Sequence, residues 1–63
     1  MNLADLMADL TATRKPPTDA EADFIARHGS LTDVGIALGN CCGIHPVLRP
    51  RYLELYAQSR RAA

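Results

Sequence analysis

The chain has 63 residues, and a domain of this length buries only about 60% of the surface of its unfolded chain. We therefore expect a single domain with a marginal core that gains from a metal, a partner or a second copy. Seven Lys and Arg balance seven Asp and Glu, which excludes a strong overall field toward nucleic acid, membranes or acidic substrates. The charges are nevertheless segregated along the chain. Residues 1–40 carry six acidic and three basic side chains, whereas residues 41–63 carry one acidic and four basic side chains.

The first residues lack the pattern of a secretory signal, because Asp5 and Asp9 lie where a cationic region and an apolar run are needed. No apolar stretch approaches the roughly 20 residues of a membrane span. We therefore expect a cytoplasmic protein without membrane contact. In a reducing compartment Cys41 and Cys42 should be thiols or ligands, since adjacent residues are also too close for an unstrained disulfide.

Apolar residues at helical spacing predict a first helix over residues 1–13, with Asn2 as its N-cap. The N-terminal stripe of this helix consists of Leu3, Leu6, Met7 and Leu10. Pro16 and Pro17 cannot continue a helix, so residues 14–17 are predicted to be a linker. Residues 18–63 then form the helical core of the same domain.

Two capping boxes predict two further helices, which start after Thr18 and Ser30. Glycine ends each of them, at Gly29 and near Gly39. A loop follows, and Pro50 suits the first turn of a final helix. No strand pattern competes, so the predicted fold class is all-α: a compact bundle of three or four short helices with a helix-turn-helix-like second half.

The densest group of chemistry-bearing residues consists of Cys41, Cys42 and His45. Cys42-x-x-His45 has a spacing at which a thiolate and an imidazole can converge on one metal ion, and Gly43 can supply the tight turn. A tetrahedral zinc site would also need Cys41 and His28. The alternative is structural: because cysteine is often buried, one of the pair is expected to pack under the turn while the other faces water.

A reactive thiol is a further interpretation of the same segment, because Arg49 and Arg51 would favour a thiolate at Cys42. His45 could pair with that thiol, but the sequence names no residue that would orient the imidazole. A chain of this length also leaves little room for a substrate cleft. We therefore expect no enzymatic activity and no catalytic residues.

Residues 24–56 carry a further pattern, with Gly-Ser-Leu-Thr-Asp-Val at 29–34, Leu-Gly-Asn-Cys-Cys-Gly-Ile-His-Pro at 38–46 and Leu-Glu-Leu at 53–55. This part of the chain resembles the second half of a bacterioferritin-associated-ferredoxin-like domain, a family that holds a [2Fe-2S] cluster between short helices. The resemblance implies that Cys42 matches the first ligand of a Cys-Gly-x-Cys turn and that His45 stands in place of the second cysteine. The family's N-terminal cysteine pair is missing here, so a cluster would be shared between two copies.

The same segment is compatible with a DNA-binding helix-turn-helix in which a helix over residues 30–38 braces a recognition helix. About ten residues separate the two predicted helices, whereas that motif has a turn of three or four. The four basic side chains of the second half, Arg49, Arg51, Arg60 and Arg61, also suit an ordinary solvated face. Nucleic-acid binding is therefore the alternative function.

The function that the sequence favours is a non-catalytic interaction module, a regulator or adaptor acting through protein contacts. A domain this small cannot enclose all its apolar side chains, and exposed ones are typical of docking faces. The candidates are the N-terminal stripe and a set on the last helix: Arg49, Arg51, Tyr52 and Tyr56. The expected partner is another protein or a second copy. No cofactor is the first expectation, with zinc or [2Fe-2S] at Cys41, Cys42 and His45 as the alternative.

Overall fold

A computed structural model describes residues 2–62 of the chain, with side chains to residue 61. These residues contain four helices and no strand. The helices are α1 (Leu3–Thr13), α2 (Asp19–His28), α3 (Leu31–Asn40) and α4 (Leu48–Ala62). The bundle measures 32 × 22 × 18 Å and has a radius of gyration of 11.0 Å, as expected for its size. The prediction of a compact all-α bundle is confirmed. None of these helices is both long and apolar enough to cross a membrane.

Local hydrogen bonds start the first three helices at the predicted residues. The Asn2 side chain accepts a hydrogen bond from the amide of Asp5, at 3.2 Å, and so caps α1. Thr18 and Ser30 each form a complete capping box at the start of α2 and α3. These caps satisfy amides that have no partner inside the helix, which fixes where each helix begins.

A corner of only two residues, Gly29 and Ser30, joins α2 to α3. A Cβ atom at Gly29 would lie 2.7 Å from the carbonyl oxygen of Ile25 and 3.0 Å from the Cβ of Asp33. Glycine is therefore required because the last turn of α2 and the first turn of α3 leave no room for a Cβ atom at this corner. Its φ of −82° is open to any residue.

The core lies between α1, α2 and α3, with one fully buried contribution from α4. The buried apolar residues are Leu6, Met7, Leu10, Ala22, Ile25, Ala26, Val34, Ala37, Leu38 and Leu48. Tyr52 and Leu55 pack at the edge of this cluster. Within the described residues α3 contacts every other helix, whereas α1 and α4 do not contact each other. α1 and α4 therefore lie on different sides of the bundle.

The N-terminal stripe, which the sequence offered as a docking face, is packed inside the bundle. Three of its residues are buried and the fourth, Leu3, is partly buried against the same core. Asn40 reinforces this packing, since its Nδ2 donates to the carbonyl oxygens of Leu10 and Lys15, at 3.0 Å each. In this fold the stripe is not a free surface, because it supplies core contacts to α2 and α3.

Candidate functional site

Seven residues, 41–47, connect α3 to α4 and contain the predicted chemistry of the chain. The carbonyl oxygen of Leu38 accepts hydrogen bonds from the amides of Cys41, at 3.0 Å, and Gly43, at 2.9 Å, and so closes the end of α3. Cys42 and Gly43 adopt positive φ values of 58° and 76°. A residue with a Cβ atom is strained in that conformation, so the Cys42 backbone is less favourable than that of Gly43.

The two cysteines divide as the structural interpretation predicts. Cys41 is partly buried against the core, and Cys42 is exposed. Burial, and secondly the neighbouring Cys42, raise the pKa of the Cys41 thiol above its usual value. Because the thiolate is the reactive form, Cys41 is the less nucleophilic member on this count as well as by access.

His45 is the cap that starts α4, a role that the sequence did not reveal. Its Nδ1 accepts hydrogen bonds from the amides of Val47, at 3.1 Å, and Leu48, at 3.3 Å. Its carbonyl oxygen accepts from the amide of Arg49, at 3.0 Å, which is the first helical hydrogen bond of this segment. These are the bonds of an N-cap residue, and Pro46 follows at the first position of the turn, where its missing N–H is harmless.

This capping geometry selects the tautomer of the neutral imidazole. Nδ1 accepts two N–H groups and so carries no proton, which places the proton of the neutral ring on Nε2. The ring is only 12% exposed, and Nε2 lies 4.0 Å from a carboxylate oxygen of Asp19, too far for a hydrogen bond. A metal ion on Nε2 would need the lone pair of that nitrogen. The ring proton would then move to Nδ1, and both capping bonds would be lost.

The other proposed ligands are not gathered around His45. In the segment covered by the structure, no three His, Cys, Asp or Glu side chains are grouped so that they could hold a metal ion. His28 lies at the end of α2, with its ring centroid 4.9 Å from that of Phe24. Zinc or [2Fe-2S] binding at Cys41, Cys42 and His45 stays a prediction. Within residues 41–47 these three residues belong to the turn that ends α3 and starts α4.

Two of the predicted partner-binding residues attach α4 to the bundle. Arg51 donates from Nε to the carbonyl oxygen of Ala26, at 2.9 Å, and its guanidinium pairs with Glu54. Tyr52 lies over Gly35, where an added Cβ atom would approach its ring to 3.2 Å. Arg51 therefore links α4 to α2 by a hydrogen bond, and Tyr52 packs α4 against α3.

Another side of α4 is left uncovered by the bundle. Leu53 and Tyr56 are 56% and 44% exposed, and Arg49 and Arg60 are exposed one turn before and one turn after them. We call these four residues the α4 stripe. Leu53 was not among the sequence candidates, although its spacing of three residues from Tyr56 places the two on one helix face. Ile44 and Val47, in the preceding turn, are also exposed, and neither was a sequence candidate.

The Tyr56 ring contacts two neighbours on α4. It stacks on Tyr52, with ring centroids 6.2 Å apart. Arg60 donates a long hydrogen bond of 3.4 Å to the phenol oxygen, and its guanidinium carbon is 5.9 Å from the ring centroid. The ring is thus oriented before any partner binds.

Comparisons of this chain with protein-family models, curated proteins and solved structures find no match. The resemblance to the [2Fe-2S] family therefore stays a prediction.

Proposed function

We propose that this protein is a non-catalytic interaction module that binds a protein partner through the α4 stripe. The observation that carries this proposal is the exposure of Leu53 and Tyr56, three residues apart and between two arginines, on a face of α4 that no other helix within residues 2–62 covers. Exposed apolar side chains with a charged rim are typical of docking surfaces. Tyrosine and arginine are also the residue types enriched at interface hot spots.

The preorganised Tyr56 ring supports this proposal energetically. Binding normally costs about 0.5–1.5 kcal/mol for each flexible side chain that becomes immobilised. Tyr52 and Arg60 already restrict the Tyr56 ring, so less conformational freedom remains to be lost. Leu53 adds an aliphatic contact beside the ring.

The charges of the stripe indicate the kind of partner. Neither Arg49 nor Arg60 forms an ion pair with another described side chain, in contrast to Arg51. Arg60 spends one N–H donor on the Tyr56 phenol oxygen, and a guanidinium has five. Both arginines therefore keep donors that can pair with carboxylates of a partner on either side of the apolar contact. A surface that is apolar in the middle and acidic at its edges would complement the stripe.

Nucleic-acid binding is the second candidate, because Arg49, Arg60 and Arg61 are exposed cations beside a stacked tyrosine pair. Three phosphate contacts would give a salt dependence with a logarithmic slope of about −3, a small value for a dedicated DNA-binding protein. The seven-residue turn before α4 is longer than the three or four residues of a helix-turn-helix. We therefore favour a protein partner.

Site-specific photocrosslinking in cells of the source organism tests this proposal. Benzoylphenylalanine at Leu53 should form protein adducts, whereas the same probe at Gln58, exposed on a different side of α4, should form far fewer. Absence of adducts at Leu53, or equal adducts at both positions, would contradict the proposal. Adducts at Leu53 that nuclease removes would favour the nucleic-acid alternative.

A further inference from the structure

The free cations of the α4 stripe have free counterparts on a different side of the bundle. Asp5 and Asp9 lie one turn apart on the exposed side of α1, and neither forms an ion pair within residues 2–62. The remaining acidic side chains of the first three helices are in capping boxes, paired with an arginine or near the His45 ring: Glu21, Asp33, Asp23 and Asp19. Asp19 is fully exposed and too far from His45 for a hydrogen bond, so it is also available to a partner. Asp5 and Asp9 differ from Asp19 in lying together, one turn apart on one helix face.

The side chains around these two carboxylates are small. Ala4, Ala8 and Ala12 are exposed beside them on the same side of α1. We call these five residues the α1 face. Alanine side chains let another helix approach closely, so large side chains such as Leu53 and Tyr56 can lie on this face while arginines beside them reach the carboxylates. The α1 face therefore complements the α4 stripe in both shape and charge.

Pairing of the α4 stripe with itself is disfavoured. In an antiparallel pair of α4 helices centred on Leu53 and Tyr56, Arg49 of each copy would lie opposite Arg60 of the other. Like charges across an interface oppose association, and no acidic side chain on this face relieves them. A partner of the stripe must therefore bring carboxylates.

We propose that the partner of the α4 stripe is the α1 face of a second copy of this chain, in a head-to-tail contact. This inference rests on the proposed function, because it uses the α4 stripe as a docking face. The α1 face and the α4 stripe lie on helices that do not contact each other, so each copy can engage two neighbours at once. Such a heterologous contact extends into chains of molecules unless its rotation closes a ring.

Sedimentation of the purified full chain tests the contact. The average mass should rise with protein concentration at low salt and fall as salt is added, because the contact includes exposed ion pairs. Reversing the stripe with Arg49→Glu and Arg60→Glu should weaken association about tenfold or more. Reversing the α1 face with Asp5→Arg and Asp9→Arg should do the same.

Two controls separate this contact from general charge effects. Arg14→Glu with Lys15→Glu changes the net charge as much as reversal of the stripe, but these exposed residues lie outside both surfaces, so association should persist. The fourfold variant that reverses both surfaces has the native net charge and complementary signs, so it should assemble again. Circular dichroism verifies that each variant remains helical.

The outcomes distinguish this inference from the proposed function. A native chain that stays monomeric near millimolar concentration at low salt would overturn the head-to-tail contact, as would unchanged association of the stripe-reversed variant. Failure of the fourfold variant to assemble would also overturn it. If the crosslinking probe at Leu53 captured a different protein while the purified chain stayed monomeric, the proposed function would stand and this inference would not.

Discussion

Replacing His45 with alanine measures the contribution of the imidazole as a helix cap. The change leaves two amides without an acceptor: that of Val47 is exposed and can bond to water, whereas that of Leu48 adjoins a fully buried side chain. Most of the cost therefore arises at Leu48, and we expect a loss of about 1–2 kcal/mol, as for lost caps and unpaired buried donors. For a domain of this size that corresponds to a decrease in Tm of roughly 4–16 °C. Thermal and urea unfolding followed by circular dichroism measure both quantities.

His45→Asn separates the capping role from metal ligation. Asparagine is among the best N-cap residues, so this variant should lie within about 0.5 kcal/mol of the native protein. An asparagine amide does not replace an imidazole as a ligand for zinc, so a metal-dependent fold would lose stability as much with asparagine as with alanine. Two results would refute the reasoning: an alanine variant as stable as the native chain, or an asparagine variant as unstable as the alanine variant.

Three further predictions concern the α2–α3 corner, the end of α3 and the turn that follows it. Gly29→Ala should destabilise the protein by about 1–3 kcal/mol because its methyl group would collide with backbone. Gly39→Ala, in open space within α3, should stabilise it by about 0.5–1 kcal/mol. Changes in Tm of the same sign for both variants would contradict this. Asn40→Ala should cost about 1–2 kcal/mol in urea unfolding, and Asn40→Asp should not restore it, since a carboxylate cannot donate to the two carbonyls. Iodoacetamide should alkylate Cys42 before Cys41, because burial limits access to the Cys41 thiol and raises its pKa, and equal rates by mass spectrometry would argue against this.

The sequence predicted the first three helices well because their signals are local. The side chains of Asn2, Thr18 and Ser30 each accept a hydrogen bond from an amide three residues later, so the residues that define each helix start are close together in the sequence. The start of α4 is different. The helix begins at Leu48, so Pro50 does lie in its first turn, but the cap is His45, and histidine is not a usual capping residue.

The candidate site was harder to predict because α4 has apolar residues on two sides. Leu48, Tyr52 and Leu55 face the bundle, and Leu53 and Tyr56 face away, although all five occur within one short segment. The buried side is set by contacts with other helices, among them that of the Tyr52 ring with Gly35 of α3, where an added Cβ atom would crowd the ring. Such a contact between distant parts of the chain has no signature in helical periodicity.

The way α4 is attached also predicts how stability and binding respond to different changes. Among the α4 side chains that the structure describes, Leu48 alone is fully buried, and the cap of His45 adds to the attachment of the helix. His45→Ala should therefore lower the free energy of unfolding. The apparent affinity of the α4 stripe is its intrinsic affinity multiplied by the fraction of molecules in which α4 is docked. That fraction stays near one until almost all of the folding stability is lost, so the loss of affinity in His45→Ala should be small. Leu53→Asp should do the opposite, because Leu53 is mostly exposed and contributes little to folding while it lies at the centre of the stripe. Sedimentation and urea unfolding of both variants measure this crossed pattern. Equal loss of binding in both would mean that the stripe acts only through the stability of α4.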